Sequence, residues 1–268
     1  MGETFTREKV ARYAAEFSGT MFLIMFIKLA VVYDDYTTSL SIGLGLALLI
    51  YNYGYISGAH LNPAVTMAII IRNVPDFPLS EKGQIVMYFV SQYTGAVFGG
   101  IMATLIGGNE SAAVFPTVFR SEDDLNNSDR LFQAFMGEIF FTYLLCTTVC
   151  HCATDKRQSG NQFYGLAIGL SLSLGCACLG PISGSCLNSA VWFGTVIPAI
   201  ITDQVPYGLS DLWVYWAGTF IGGIVAGLWF NLLNGRESLG KPGVYGDGYR
   251  SDNREELQNL QEEDTEIE

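Results

Sequence analysis

Residues Ile56–Val65 read ISGAHLNPAV, and residues Ile182–Val191 read ISGSCLNSAV. Seven of the ten positions are identical, and the matches include the polar pairs Ser57/Ser183 and Asn62/Asn188. Twenty residues before each Asn the match recurs, Ile42-Gly43-Leu44 against Ile168-Gly169-Leu170. Glu16 and Glu138 precede their motifs by 46 and 50 residues. Pairs with GxxxG spacing follow in both halves, Gly95/Gly99 and Gly218/Gly222, and small residues at that spacing let membrane helices approach closely. Apolar segments alone would not keep polar residues in register, so the chain is read as an internal repeat.

The sequence around the repeat is apolar. Of 268 residues, 50% are hydrophobic and 15% are charged, whereas soluble domains have about 25% charged residues. Six long apolar segments stand out: Ala14–Tyr33, Leu40–Ile56, Ile85–Ile106, Phe132–Val149, Tyr164–Leu179 and Leu212–Leu233. A spanning helix needs about 20 mostly apolar residues, and the second and fifth segments are slightly short. The first is too long for a signal-peptide core and lacks a following small-residue cleavage site, so it reads as a retained helix. Two shorter stretches, Asn62–Ile71 and Asn188–Ile201, reach only about half a membrane and suggest re-entrant segments. Irregular backbone at that depth is tolerated only where it is buried in protein or lines an aqueous cavity. Three spans per half is an odd number, so the second half inserts upside down. Such inverted repeats set half-helices around a shared site near the midplane. The expected fold is all-α and membrane-embedded, with six transmembrane helices and two re-entrant half-helices. Residues 1–12 form a cytoplasmic segment and 13–233 a channel domain, with repeats at about 13–106 and 132–233. Residues 234–268 form an acidic tail whose composition argues for disorder.

Charge sets the orientation and excludes some partners. Fourteen Lys+Arg face 26 Asp+Glu, for a formal net charge of −12, which excludes a nucleic-acid footprint. Eight of the carboxylates lie in Ser251–Glu268. One side of the membrane carries Arg7, Lys9, Arg12, Arg72, Lys82, Lys156, Arg157, Arg236 and Lys241, and the other only Arg120 and Arg130. Both termini are therefore expected in the cytoplasm, in a plasma or internal membrane. Sequons at Asn109 and Asn126 fall in the expected outer loop between the third and fourth spans. Lys28, about a turn from the outer end of the first span, is expected to snorkel to the interface. Met1–Thr6 fits a myristoylation pattern. The six cysteines lie in or beside apolar segments and do not read as a disulfide scaffold. Cys150-His151-Cys152 is an incomplete metal-ligand set, and residues two apart do not share a helix face. No nucleophile–base constellation is present, so neither an enzyme nor a cofactor is expected.

The paired asparagines carry the chemistry. Asn is a favoured N-cap, its side-chain oxygen accepting from first-turn N–H groups, which turns the NH₂ toward the pore. Pro63 is preorganised for a first helical turn. Two half-helix N-termini meeting at the midplane put two positive dipole ends there. Water or a hydroxyl can accept from the two amides in passing, while cations and protons meet an electrostatic barrier.

At these residues the sequence resembles the aquaporin (major intrinsic protein) family over about Tyr13–Leu233. SGAHLNPAVT at Ser57–Thr66 is the most specific element, and AEFSGT (Ala15–Thr20), GEIFFT (Gly137–Thr142), YFVSQYTGA (Tyr88–Ala96) and WVYWAG (Trp213–Gly218) also look like family signatures. The resemblance implies a homotetramer in the lipid bilayer, with one pore per subunit. It implies that Glu16 and Glu138 brace the re-entrant loops and that His60 positions its loop at the cytoplasmic vestibule. It makes Asn62-Pro63-Ala64 and Asn188-Ser189-Ala190 the two central motifs. Ser189 stands where the family has Pro, and the donor Asn188 is kept. Carried over by position, the outer selectivity filter is Ile42, Cys176, Ser185 and Val191. Water-specific members have an aromatic residue, a His, a small residue and an Arg there. Loss of Arg removes five donors and a permanent charge and leaves a wider, apolar ring. Trp192, where glycerol channels commonly carry Asp, is expected to fill some of the vacated space. Tyr215 and Trp216 resemble an aromatic pair of the water-channel branch. The expected function is passive conduction of water and of small uncharged solutes such as glycerol, urea or hydrogen peroxide. The alternatives are a structural or adhesive protein with little conduction, and a gated or cation-leaky channel.

Overall fold

The computed structural model describes residues 6–33, 36–75, 77–119, 127–204 and 209–234. All its regular elements there are helical. In chain order they are α1 (Arg7–Tyr33), α2 (Thr38–Ser57), α3 (Pro63–Arg72), α4 (Lys82–Ala112), α5 (Asn127–Thr154), α6 (Tyr164–Ser183), α7 (Ser189–Ile201) and α8 (Leu212–Asn234). Six are long and apolar enough to cross a membrane, and α3 and α7 are the two short apolar helices. The two spans that looked short, α2 and α6, reach 20 residues each. Each ends at a left-handed glycine, Gly58 or Gly184, a conformation glycine adopts without the penalty a Cβ brings.

The halves interlock rather than lie side by side. Helix α1 packs on α4, and α5 on α8. The half-helices cross over, with α3 lying against α8 and α7 against α4. Helices α2 and α6 meet at the equivalent glycines, and a Cβ on Gly43 or Gly169 would collide with the other's carbonyl oxygen. The GxxxG pairs do bring helices together, but one turn out of register. A Cβ on Gly95 or Gly99 would strike the backbone of Phe17 or Met21 on α1. In the second half Gly222, not Gly218, presses on backbone, against the Ile139 carbonyl 2.6 Å from a built Cβ, while Gly218 faces the Glu138 side chain.

Gly100 fixes the closest crossing, where α4 touches the Gly194 carbonyl of α7. Gly100→Ala is expected to destabilise by about 1–3 kcal/mol, because neither backbone can yield. Gly180→Ala, where nothing lies within 4 Å of the new Cβ, is expected to be neutral or mildly stabilising, by up to about 1 kcal/mol. Thermal unfolding of the detergent-solubilised variants checks both.

On the expected inner face, Arg72 ends α3 with its guanidinium 4.1 Å from the Phe230 ring centre and donates to Thr154 Oγ1 at 3.1 Å. Its charge suits a helix C-terminus and ties α3 to α5 and α8. Arg157 bridges Asp155 and Asn234, and its bonds hold the Asp155 carboxyl below the usual carboxylate range.

Two expectations need revision here, and three fall outside these residues. Lys28 does not snorkel, because its side chain is fully buried and its Nζ donates to the Val114 carbonyl at 3.1 Å. Asn109 is not in a loop. It lies within α4, just past a kink at Gly108 (φ 64°). Asn126, the acidic tail and the Met1–Thr6 pattern up to residue 5 lie outside the described residues.

Candidate functional site

Each half-helix opens on its asparagine. Asn62 accepts from the Ala64 N–H at 2.8 Å, and Asn188 from the Ala190 N–H at 3.0 Å. Pro63 sits at the first turn of α3, and Ser189 takes that place in α7. The Ser189 hydroxyl pairs with Tyr93 Oη at 2.8 Å, a contact proline cannot make. The amide nitrogens do not both point only into the cavity. Asn62 Nδ2 donates to the Leu187 carbonyl, and Asn188 Nδ2 to the Leu61 carbonyl, each at 2.9 Å. The two loops are thus stitched to each other, and each NH₂ keeps one further hydrogen beside the cavity that both asparagines line.

The loops before the asparagines are strained in the same way. Ala59 and Leu61 have φ of 45° and 50°, and Ser185 and Leu187 have 51° and 50°. Non-glycine residues in this region cost about 1–3 kcal/mol each and persist where the surroundings hold them. The buried glutamates do the holding. Glu16 accepts from Ser57 Oγ (2.7 Å), His60 N (2.9 Å), Leu61 N (2.8 Å) and Gln92 Nε2 (2.8 Å). Glu138 accepts from Ser183 Oγ (2.6 Å), Cys186 N (2.9 Å) and Leu187 N (2.8 Å). The first site has one more donor, Gln92, which also bonds Thr66 Oγ1 at 2.9 Å.

Two bracing roles were not read from sequence, although Tyr215 was named there as one of an aromatic pair. Tyr88 Oη donates to the Ser57 carbonyl at 2.7 Å, and Tyr215 Oη to the Ser183 carbonyl at 2.9 Å. They follow their asparagines by 26 and 27 residues, so a gapless alignment separates them. Tyr215 is buried, while its neighbour Trp216 is exposed on the outer surface of the bundle.

A cavity of about 270 Å³ runs past both asparagines. Its lining spans from Ala153 and Tyr164 at the ends of α5 and α6 to Val31 and Thr38 at the α1–α2 turn, so it extends along the depth of the bundle. Leu46, Ile50, Ile168 and Leu172 give it apolar walls. His60 lines it as well, with Nδ1 3.2 Å from Thr66 Oγ1 and its ring beside Phe77 and Tyr88. Ile42, Cys176, Ser185 and Val191 all line it too. None of these four is charged or aromatic.

Trp192 is not among the lining residues. It is buried in a cluster with Ile24, Cys186 and Val196, its ring 5.4 Å from that of Phe193. Asn188, Val191 and Thr195 share the lining face of α7, and position 192 turns about 100° away from 191. It therefore does not narrow the pathway as expected. Cys150 is buried in the main core and the His151 ring packs on Phe230. Among the described residues no cluster of metal-ligating side chains forms.

Comparison with known proteins agrees with this geometry. The profile of the family described as Major intrinsic protein matches residues 3–230. The aquaporin AqpM of Methanothermobacter marburgensis is 34% identical over 212 residues, covering 75% of this chain and 77% of its own. A probable aquaporin, NIP4-2, of Arabidopsis thaliana is 31% identical, covering 82% and 73%. The crystal structure of the aquaglyceroporin from Plasmodium falciparum superposes with a TM-score of 0.69 at 22% identity, covering 83% of this chain and 96% of that one, a likeness of fold. Six spans, two asparagine-capped half-helices and the family match lead to one conclusion: the chain belongs to the major intrinsic protein (aquaporin) family of passive membrane channels, and is not an enzyme.

Proposed function

We propose that the chain conducts water and small uncharged solutes through a widened, apolar outer constriction formed by Ile42, Cys176, Ser185 and Val191. The carrying observation is that these four residues and both asparagines line one cavity. Water sheds part of its hydrogen-bonded shell along this cavity and, where the half-helices meet, accepts from the spare amide hydrogens of Asn62 and Asn188. Apolar walls on either side offer few competing bonds, so passage is not slowed by tight binding. The half-helix N-termini disfavour cations at the midplane. Without a filter Arg, the ring also admits solutes bulkier than water, such as glycerol, urea or hydrogen peroxide. The relatives named as aquaporins support the water reading. We further propose that both termini are cytoplasmic, supported by the uneven distribution of Lys and Arg across the spans, and that the chain assembles as the homotetramer its family resemblance implies.

Val191 lines the cavity from the first turn of α7, so a longer side chain there projects into it. Val191→Arg is expected to slow glycerol by about tenfold or more, the effect of ~1.4 kcal/mol at the barrier, and water by much less. Stopped-flow light scattering with paired osmotic and glycerol gradients measures the split. Equal loss of both fluxes, or no change in either, would place the constriction elsewhere.

A further inference from the structure

Val191 removes the charge that the family pattern puts on the second half-helix, yet among the described residues the outer half of the molecule keeps one buried cation. Lys28 lies on α1 one turn beyond Ile24, and Ile24 packs in the cluster that holds Val191, Trp192 and Cys186. Residues four apart stack on one helix face, separated by about 6 Å of rise. Lys28 is therefore about one turn outward of the Val191 layer, on the interior face of α1. Its neighbours Ile27 and Val31 line the cavity itself.

The ammonium is fully buried, and the Val114 carbonyl is its one hydrogen-bond partner among the described residues. No carboxylate of those residues pairs with it. Val114, Phe115 and Pro116 line the outer end of the cavity. This stretch is a strap across the mouth. At its far end the Phe119 N–H donates to the Ile182 carbonyl at 3.0 Å. A Cβ on Gly184 would lie 2.9 Å from Pro116 Cα, so the strap sits directly on the loop that carries Ser185. Burying an ammonium with a single neutral partner works against stability, and an apolar side chain of similar length would fill the space without that penalty. What the charge supplies is a positive potential in a low-dielectric wall beside the mouth.

We propose that Lys28 is a specificity-determining cation of this pore, repelling cations at the outer vestibule in place of the absent charge at position 191. The inference rests on the pore reading above. Its test is conductance in planar bilayers together with osmotic water flux, measured on the same full-chain preparations of wild type, Lys28→Met, Lys28→Gln and Lys28→Arg. Loss of the charge should raise Na⁺ and K⁺ conductance by about tenfold or more, with water flux held within about twofold. Lys28→Gln keeps a donor for Val114 but no charge, so it should leak like Lys28→Met and stands in for it if the methionine variant does not fold. Lys28→Arg should stay tight, and adding Val191→Arg to Lys28→Met should close the leak. Water flux with unchanged cation conductance in both neutral variants would overturn the proposal. So would a tight Lys28→Gln beside a leaky Lys28→Met, which would assign the effect to the strap rather than the charge. Absence of water flux in the wild type would instead defeat the pore reading.

Discussion

Glu16→Leu is expected to cost about 2–6 kcal/mol and to abolish water flux, because a buried donor left without a partner costs about 1–3 kcal/mol. Four donors converge on this carboxylate. The Ser57 hydroxyl can rotate to another acceptor, and Gln92 keeps its bond to Thr66. The N–H groups of His60 and Leu61 cannot escape, since they belong to a backbone held at positive φ on either side. Their loss frees the loop that presents Asn62 to the cavity. Glu16→Gln should fall between, because its NH₂ must oppose at least one of these N–H donors in either orientation. Glu138→Leu should behave similarly, with Cys186 and Leu187 as the orphaned pair. Thermal unfolding in detergent and flux in vesicles are the readouts. Wild-type stability in Glu16→Leu would mean that something other than the glutamate holds the strained loop.

Asn62→Asp is expected to convert the pore into a cation leak while lowering its water flux. The substitution keeps the oxygen that caps Ala64, so α3 retains its first turn. It replaces the donor that reaches the Leu187 carbonyl at 2.9 Å with an acceptor, and two oxygens then face each other across the joint between the loops. The charge matters more. Each half-helix N-terminus acts as roughly +0.5 charge, so one carboxylate offsets both. A unit charge about 4 Å from a passing ion is worth about 4 kcal/mol near an effective dielectric of 20. Cation conductance should therefore rise by at least about tenfold. Asn188→Asp should match it, because its amide makes the reciprocal bond to Leu61. A tight, water-conducting Asn62→Asp would show that the midplane dipoles are not a barrier.

What could be read from the sequence was what polar residues say in an apolar setting. Asn62, Asn188, Glu16 and Glu138 are conspicuous against long hydrophobic runs, and a repeat with an odd number of spans dictates inversion. The structure bears out the six spans and two half-helices. Other features depended on geometry that spacing does not encode. The cross-bonding of each asparagine to the opposite loop needs the two halves in contact, and no sequence window holds both. The shared bracing role of Tyr88 and Tyr215 was hidden by a one-residue difference in offset. Trp192 follows Val191 directly, yet the helical turn carries it out of the lining and into the cluster behind. Lys28 looked like an interfacial lysine because its acceptor, Val114, lies 86 residues away. Asn109 looked like loop because Gly108, with positive φ, bends α4 without ending it.

The most direct test of the channel reading is the rate at which purified wild-type protein lets liposomes shrink under an impermeant osmotic shock, followed by stopped-flow light scattering at several temperatures. A continuous cavity past two fixed donors predicts shrinkage well above that of empty liposomes, with an activation energy far below that of the bare bilayer. Shrinkage equal to empty liposomes, from protein shown to be folded and inserted, would contradict it.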